Sequence, residues 1–263
     1  MIDFHNHVIP NLDDGSKSIE MSLNMLKEAA SQGVTDIVNT VHFQHPKMDK
    51  KNTSHDFVIN EIKKMEEIAK SNNININIHA ASEVFFKFNL TEILDNPITT
   101  FGHGKYMLVE FQRLNFPDGY EDELFKLQIK GVTPIIAHPE RYRKIQNNID
   151  LAKKWIDRGY LIQIDCASIL GGFGKETQNI SLKLLKKGLC HLVGSDAHND
   201  KNRNFLLKKA LEKITQIIDK EAAEIIKDNS KRILNGQDCV RYSVNTNKKT
   251  FFSKINSFLN SKK

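Results

Sequence analysis

Short β-branched segments alternate with amphipathic stretches about seven times along this chain, and that alternation restricts the fold more than any other feature. Ile19, Leu23, Leu26, Ala29 and Ala30 recur at helical spacing ahead of Gly33, a C-terminal stop. TDIVNTVH (35–42) follows as a strand. Ser54 is placed to cap a helix through Phe57, Ile62, Met65, Ile68 and Ala69, and INIHAASEV (76–84) is the next strand. YMLVEF (106–111), VTPIIAH (132–138), YLIQID (160–165) and LCHLVGSDAH (189–198) continue the series, with helices around Leu124 and Leu127, Trp155, and Leu182 and Leu185 between them. Strands joined through helices by short connections run parallel. About seven such units predict a closed or nearly closed (β/α) barrel in one α/β domain, with an open doubly wound sheet as the alternative. No internal repeat and no Pro- or Gly-rich linker divides the 263 residues. The one long connection, 84–106, contains a helical turn and has the length of a loop that covers a site. It is expected to bring His103 near the barrel mouth, within approach of a substrate.

Charge and cysteine usage narrow the partners. No segment reaches the roughly 18 apolar residues of a spanning helix, and the N-terminus lacks a basic-then-apolar leader. Three scattered cysteines, Cys166, Cys190 and Cys239, cannot form a disulfide framework or a Cys-based zinc site, which suits a reducing cytoplasm. Of the net charge of +6, five units are lysines in 244–263, a stretch with no acidic residue; the other 243 residues carry only +1. A broad basic face for nucleic acid is therefore disfavoured. Residues 244–263 read as a frayed basic tail rather than a membrane-touching helix.

The polar residues gather at strand ends. His5 and His7 end the first strand, with Asp13 and Asp14 close behind, and His42 ends the second. Glu83, Glu110 and His138 end the next three, and Asp196 and His198 the last. Residues i and i+2 of a strand share a face, so His5 and His7 project side by side. In a barrel the C-terminal strand ends converge on one mouth. Buried imidazoles and carboxylates are costly unless paired or bound to metal, and an oxygen-and-imidazole set without thiolate suits manganese, iron or zinc.

On these residues the chain resembles the PHP (polymerase and histidinol phosphatase) superfamily, and within it the bacterial manganese-dependent tyrosine phosphatases of the CpsB/YwqE type. The stretches that carry the likeness are DFHNHVIPNLDDGSKS (3–18), His42, SEV around Glu83, YMLVEF around Glu110, IAHPERY (136–142) and GSDAHN (194–199). The resemblance implies a distorted (β/α)7 barrel of PHP type over 1–243 and three divalent metal ions, manganese first among them. His5, His7, Glu83 and Asp196 would hold one ion. Glu83 would bridge to a second, held with Glu110 and His138, and Asp14, His42 and His198 would hold a third. Val41 stands where the family commonly has proline, and His45 adds an imidazole nearby; His42 keeps the strand-end position. The implied activity is hydrolysis of protein phosphotyrosine, the partner being a cytoplasmic or membrane-peripheral bacterial tyrosine kinase of capsule or exopolysaccharide synthesis. Homo-oligomerisation stays open. Histidinol phosphate, a nucleotide or a DNA end as substrate, and a metal-stabilised scaffold without activity, are the alternatives.

For phosphoester chemistry, Arg141 and Arg203 are placed to clamp phosphate, since a guanidinium fork binds two of its oxygens. Asp196 and His198 complete the catalytic candidates. A phenolate leaving group, pKa about 10, makes a strong acid less necessary; His198 and a metal-bound water are the two candidates for that role. The thiol route needs Cys-x5-Arg, but six residues after the three cysteines stand Gly172, Asp196 and Asn245. His55, His79, His103 and His191 lack partner spacing and read as surface or satisfied core positions. GGFG (171–174) lacks the following Lys-Ser/Thr of a phosphate loop and reads as a bend near the mouth.

Overall fold

The computed structural model describes residues 1–48 and 54–244. The expected tail, 244–263, thus lies outside the described residues except for Val244. Seven strands stand side by side in sequence order: β1 (Ile2–Asn6), β2 (Asp36–Phe43), β3 (Asn77–Phe85), β4 (Tyr106–Glu110), β5 (Thr133–Ala137), β6 (Leu161–Asp165) and β7 (Leu192–Gly194). Every hydrogen-bonded neighbour is parallel. The chain past β7 returns to β1, where the Asp196 amide donates to the His5 carbonyl at 2.7 Å and the His7 amide to the Ala197 carbonyl at 2.8 Å. Asn6 and Ala197 form a parallel bridge. The sheet curls into a nearly closed barrel rather than an open layer, as the alternation predicts.

The helices form where apolar spacing and capping allow. These are α1 (Ile19–Ser31), α2 (His55–Ser71), α3 (Tyr120–Ile129), α4 (Arg143–Asn147), α5 (Asp150–Asp157), α6 (Cys166–Leu170), α7 (Lys175–Lys186), α8 (Leu207–Ile217) and α9 (Lys220–Leu234). The Ser18 hydroxyl accepts the Met21 amide and caps α1. Ser54 occupies the corresponding place before α2, but its side chain makes no capping bond. Helix residues such as Met25, Leu26, Val58, Leu124, Trp155 and Leu184 pack with the outward strand residues Ile37, Val109, Ile136 and Ile162 in one buried layer.

Inside the barrel the strands alternate with period two. Val38 and His42 share the inner face of β2, Ala81 and Glu83 that of β3, and Leu108 and Glu110 that of β4. On these three strands the inward residues Val38, Ala81 and Leu108 are apolar, and the last inward residue is charged or imidazole. β1 departs from the alternation. Its register against β2 runs Asp3↔Ile37 and then Asn6↔Asn39, so one extra residue is accommodated between these pairs. This bulge lets Phe4 join the inner apolar cluster while His5 and His7 also reach the mouth, a combination a regular strand forbids.

The long connection does not cover the mouth. It carries a 3₁₀ turn at Pro97–Thr100, and Phe101 beyond it stacks on Phe4 at 4.8 Å between ring centroids. Phe101 and Ile233 of α9 belong to the same inner cluster as Phe4 and close the barrel floor. The length is used in descending from the C-terminal end of β3 to the N-terminal end of β4. His103 therefore lies opposite the mouth, where its Nε2 donates to the Ile233 carbonyl at 2.9 Å, and the expectation that it approaches substrate is corrected.

Gly194 makes the seam between β7 and β1 testable. A Cβ there would lie 2.5 Å from His5 Cβ and 3.1 Å from its amide nitrogen. Gly194→Ala is expected to destabilise the fold by about 1–3 kcal/mol, read by denaturant unfolding, whereas Gly104→Ala, at an open left-handed turn, changes little beyond backbone strain.

Candidate metal centre

The mouth gathers side chains from almost the whole length of the chain. His5 and His7 come from the bulged end of β1, His42 from β2, Glu83 from β3 and Glu110 from β4. His138 follows β5 directly, and Asp196 and His198 follow β7. His138 and Asp196 adopt the left-handed backbone region, φ 31° and 47°. Such conformations cost about 1 kcal/mol or more in non-glycine residues and cluster at functional sites. At His138 the turn leads into Pro139–Arg141, a 3₁₀ turn that brings Arg141 back over the mouth.

Three overlapping groups of donor atoms result, each within 4.8 Å. The first joins His5, His7, Glu83 and Asp196. His5 Nε2 stands 3.2 Å from Glu83 Oε2 and 3.5 Å from Asp196 Oδ1, and His7 Nε2 stands 3.5 Å and 3.4 Å from the same atoms. The second joins His42, Glu83 and Glu110, and His138 Nε2 adjoins it at 2.7 Å from Glu83 Oε1 and 3.9 Å from Glu110 Oε1. The third joins His7, Asp14, His42 and His198, with Asp14 Oδ1 3.3 Å from both His42 Nε2 and His198 Nε2. His45 stays at the edge, its Nε2 4.0 Å from Glu110 Oε2 and outside all three groups.

The second nitrogens of three histidines are committed elsewhere. His5 Nδ1 donates to Gln163 Oε1 at 3.1 Å, and His198 Nδ1 to the Asp196 carbonyl at 2.9 Å. His7 Nδ1 donates to Asp13 Oδ2 at 2.7 Å. Asp13 is itself fixed by the amides of His42, at 3.1 Å, and Gly15, at 2.9 Å. A proton held on Nδ1 leaves Nε2 with its lone pair aimed into the mouth, the usual arrangement around a ligating imidazole. Burial alone would raise the Asp13 carboxyl, but the His7 and His42 charges outweigh it and hold it well below the ordinary carboxylate range.

The charge balance favours cations. Burial, and then the Glu83 charge, push Glu110 up to about 8. Burial, together with Arg141, pushes His138 down to about 4, so that it is a neutral donor. Glu110 Oε2, His42 Nδ1 and His138 Nδ1 are buried without a hydrogen-bond partner among the described residues. Four carboxylates crowded into one dry site are costly unless cations neutralise them. The residues fit divalent metal ions, with oxygen and nitrogen donors and no thiolate.

Both predicted arginines reach this centre. Arg141 Nη2 lies 2.6 Å from Asp196 Oδ2 and also pairs with Asp165, and Arg203 Nη2 lies 2.7 Å from the same Asp196 oxygen. Neither is an isolated surface ion pair. The Phe173 ring packs against both guanidiniums, at 4.1 Å from Arg141 and 5.7 Å from Arg203. Gly171 and Gly174, φ 91° and 88°, supply the bend that brings Phe173 there. Sequence reasoning passed over Phe173, and also Asp165, although YLIQID puts an aspartate at a strand end like the others. It gave no role to Asp13, Gln163, Gly15 or Gly194. A Cβ on Gly15 would fall 2.4 Å from that of His7, so this glycine is required for the loop to close on the strand. The remaining histidines are as expected: His55 and His79 pair with surface carboxylates, and buried His191 accepts the Ile162 amide.

Comparison with known proteins agrees with this geometry. The family model for capsular polysaccharide synthesis, CpsB/CapC, matches residues 1–235. A putative tyrosine-protein phosphatase CapC from Staphylococcus aureus is 38% identical over 211 residues, 80% of this chain and 81% of its own. The tyrosine-protein phosphatase YwqE of Bacillus subtilis is 31% identical over 242 residues, 92% of this chain and 94% of its own. A crystal structure from work on YwqE and on CpsB of Streptococcus pneumoniae, described as unique metal-dependent tyrosine phosphatases, superposes with a TM-score of 0.87 at 30% identity. It covers 92% of this chain and 97% of that one. A histidinol phosphate phosphatase from Lactococcus lactis shares the fold at a TM-score of 0.53 and 17% identity. With the barrel, the donor groups and the matched length in agreement, the chain belongs to the CpsB/CapC family.

Proposed function

We propose that this protein is a metal-dependent phosphatase that hydrolyses phosphotyrosine in proteins. Its cellular substrate is the tyrosine-rich segment of a bacterial tyrosine kinase that controls capsule or exopolysaccharide synthesis. The observation that carries the proposal is the convergence of histidine Nε2 atoms and four carboxylates directly beneath two arginines. The tyrosine phosphatases among its relatives support the substrate class. Among the described residues no helix is long and apolar enough to cross a membrane, which suits a protein that meets its kinase from the cytoplasm.

His5, His7, Glu83 and Asp196 would hold one ion. Glu83, Glu110 and His138, with His42 alongside, would hold a second, and Asp14, His42 and His198, with His7, a third. Manganese is the favoured metal, iron or zinc the alternatives. When bound, the ions supply Lewis acidity and an activated water for attack at phosphorus. The chain's own contribution is positioning. Arg141 and Arg203, which now share one Asp196 oxygen, present guanidiniums that bind the non-bridging oxygens of phosphate. Phe173 limits their rotation from the side, and Asp165 anchors Arg141 from within. Asp13 and Gln163 hold the His7 and His5 rings in the tautomer and orientation the centre requires. Cysteine takes no part: Cys166 and Cys190 are buried, and burial pushes the thiol of partly buried Cys239 up to about 12.

Purified protein is expected to hydrolyse p-nitrophenyl phosphate and phosphotyrosine peptides, with stimulation by Mn²⁺ and no loss on thiol alkylation. It is expected to prefer the peptide, by kcat/KM, over histidinol phosphate and a 3′-labelled oligonucleotide. The proposal is overturned if either of the latter is the better substrate. Asp196→Asn and His138→Ala are each expected to abolish turnover while leaving a folded protein by circular dichroism. Asp13→Asn keeps all proposed ligands, yet should weaken metal binding by about 10–100-fold, measured by titration of metal into chelator-treated protein.

A further inference from the structure

A cleft of about 670 Å³ adjoins Arg141, and most of its lining has no part in the chemistry described so far. One wall is the loop after β4, with Arg113 and Leu114; the other is the bend carrying Phe173 and the start of α7 at Lys175. Arg141 and Phe173 line its inner end, so it opens directly from the place assigned to phosphate. Arg143, at the start of α4, stands beside it, and its amide donates to the Arg113 carbonyl at 2.9 Å, tying the two segments together.

The lining is cationic. Arg113, Arg143 and Lys175 are exposed, and the one carboxylate among them, Glu176, lies 3.3 Å from Arg143. Arg113 and Lys175 make no ion pair among the described residues, leaving two charges without a carboxylate on opposite walls. Such a concentration is unusual in a body whose 243 residues before the tail carry a net charge of only +1. Leu114, 74% exposed, adds an apolar contact at the rim. A tyrosine side chain is long enough to hold a peptide backbone off the centre, so residues flanking a phosphotyrosine would lie along this cleft.

We infer that the cleft between Arg113–Leu114 and Phe173–Lys175 is a docking site for an acidic peptide segment, selecting phosphotyrosines flanked by Asp or Glu. The inference rests on the phosphotyrosine reading above and adds sequence selectivity to it. Unpaired cations along a cleft discriminate by charge complementarity, and the discrimination weakens as salt screens it.

The test compares two phosphotyrosine peptides that differ only in Glu or Gln at the flanking positions. The metal-loaded parent is expected to favour the acidic peptide by about tenfold in kcat/KM at low ionic strength, mainly through KM, and to lose most of that preference at about 0.5 M salt. The double variant Arg113→Glu, Lys175→Glu should favour the Gln peptide, and the milder Arg113→Gln, Lys175→Gln should show no preference. A parent without preference, or a preference that survives in both variants, overturns the docking site and leaves the phosphatase intact. If both variants lose the two peptides equally, the residues act on the centre or the fold, and the inference is likewise overturned. Turnover of neither peptide by the parent would overturn the phosphotyrosine reading together with it.

Discussion

Two backbone hydrogen bonds at the seam of the barrel set the geometry of everything above them. The amide of Asp196 binds the carbonyl of His5, and the amide of His7 binds the carbonyl of Ala197. Donor side chains nearly 200 residues apart in sequence thereby become neighbours, held by the same contacts that close the sheet. The close approach requires Gly194 opposite His5, and on the other flank Gly15 against His7, because a Cβ at either place would overlap the histidine. The same contacts serve both purposes: closing the barrel brings the first histidine pair to the last aspartate.

That economy has an electrostatic cost. Glu83 is buried with four imidazoles around it, and Glu110 sits close enough to be pushed up to about 8. Asp165 and Asp196 find cations in Arg141 and Arg203, but each arginine is also aimed at the mouth. Carboxylates packed this tightly are tolerated where cations can enter, and they bind those cations because water competes poorly. Left-handed backbone at His138 and Asp196 fits the same pattern: local strain is retained where it aims a donor and is supported by the surrounding barrel.

Much of the centre was legible because barrel geometry turns a one-dimensional regularity into a three-dimensional one. Placing His42, Glu83, Glu110 and His138 at successive strand ends was enough to bring them together, since parallel strands all present their C-terminal ends to the same mouth. What escaped were residues whose role depends on packing rather than on position in a strand. Asp13 has no place in the ligand set that takes in its neighbour Asp14, and yet it is the carboxylate that orients His7. Gln163 lies in mid-strand, where nothing marks it as the partner of His5. Phe173 reads as a loop aromatic until its ring is seen against both guanidiniums. His103 was misplaced because length alone does not say whether a loop crosses over a barrel or beneath it.

The sequence by itself determined the alternation of parallel strands and helices, the imidazoles and carboxylates at the strand ends, the absence of a thiol route and the two arginines. These follow from periodicity, residue chemistry and spacing, which are local or nearly so. Only the tertiary structure decided that the sheet closes rather than lies open, which nitrogens of the histidines face the centre, and that His7 and His42 each belong to two of the three donor groups. It alone showed that His5 and His7 reach the mouth through a bulge, and that a cationic cleft leads away from the arginines. These depend on distances between residues remote in sequence, fixed by closure of the barrel and by the space that two glycines leave open.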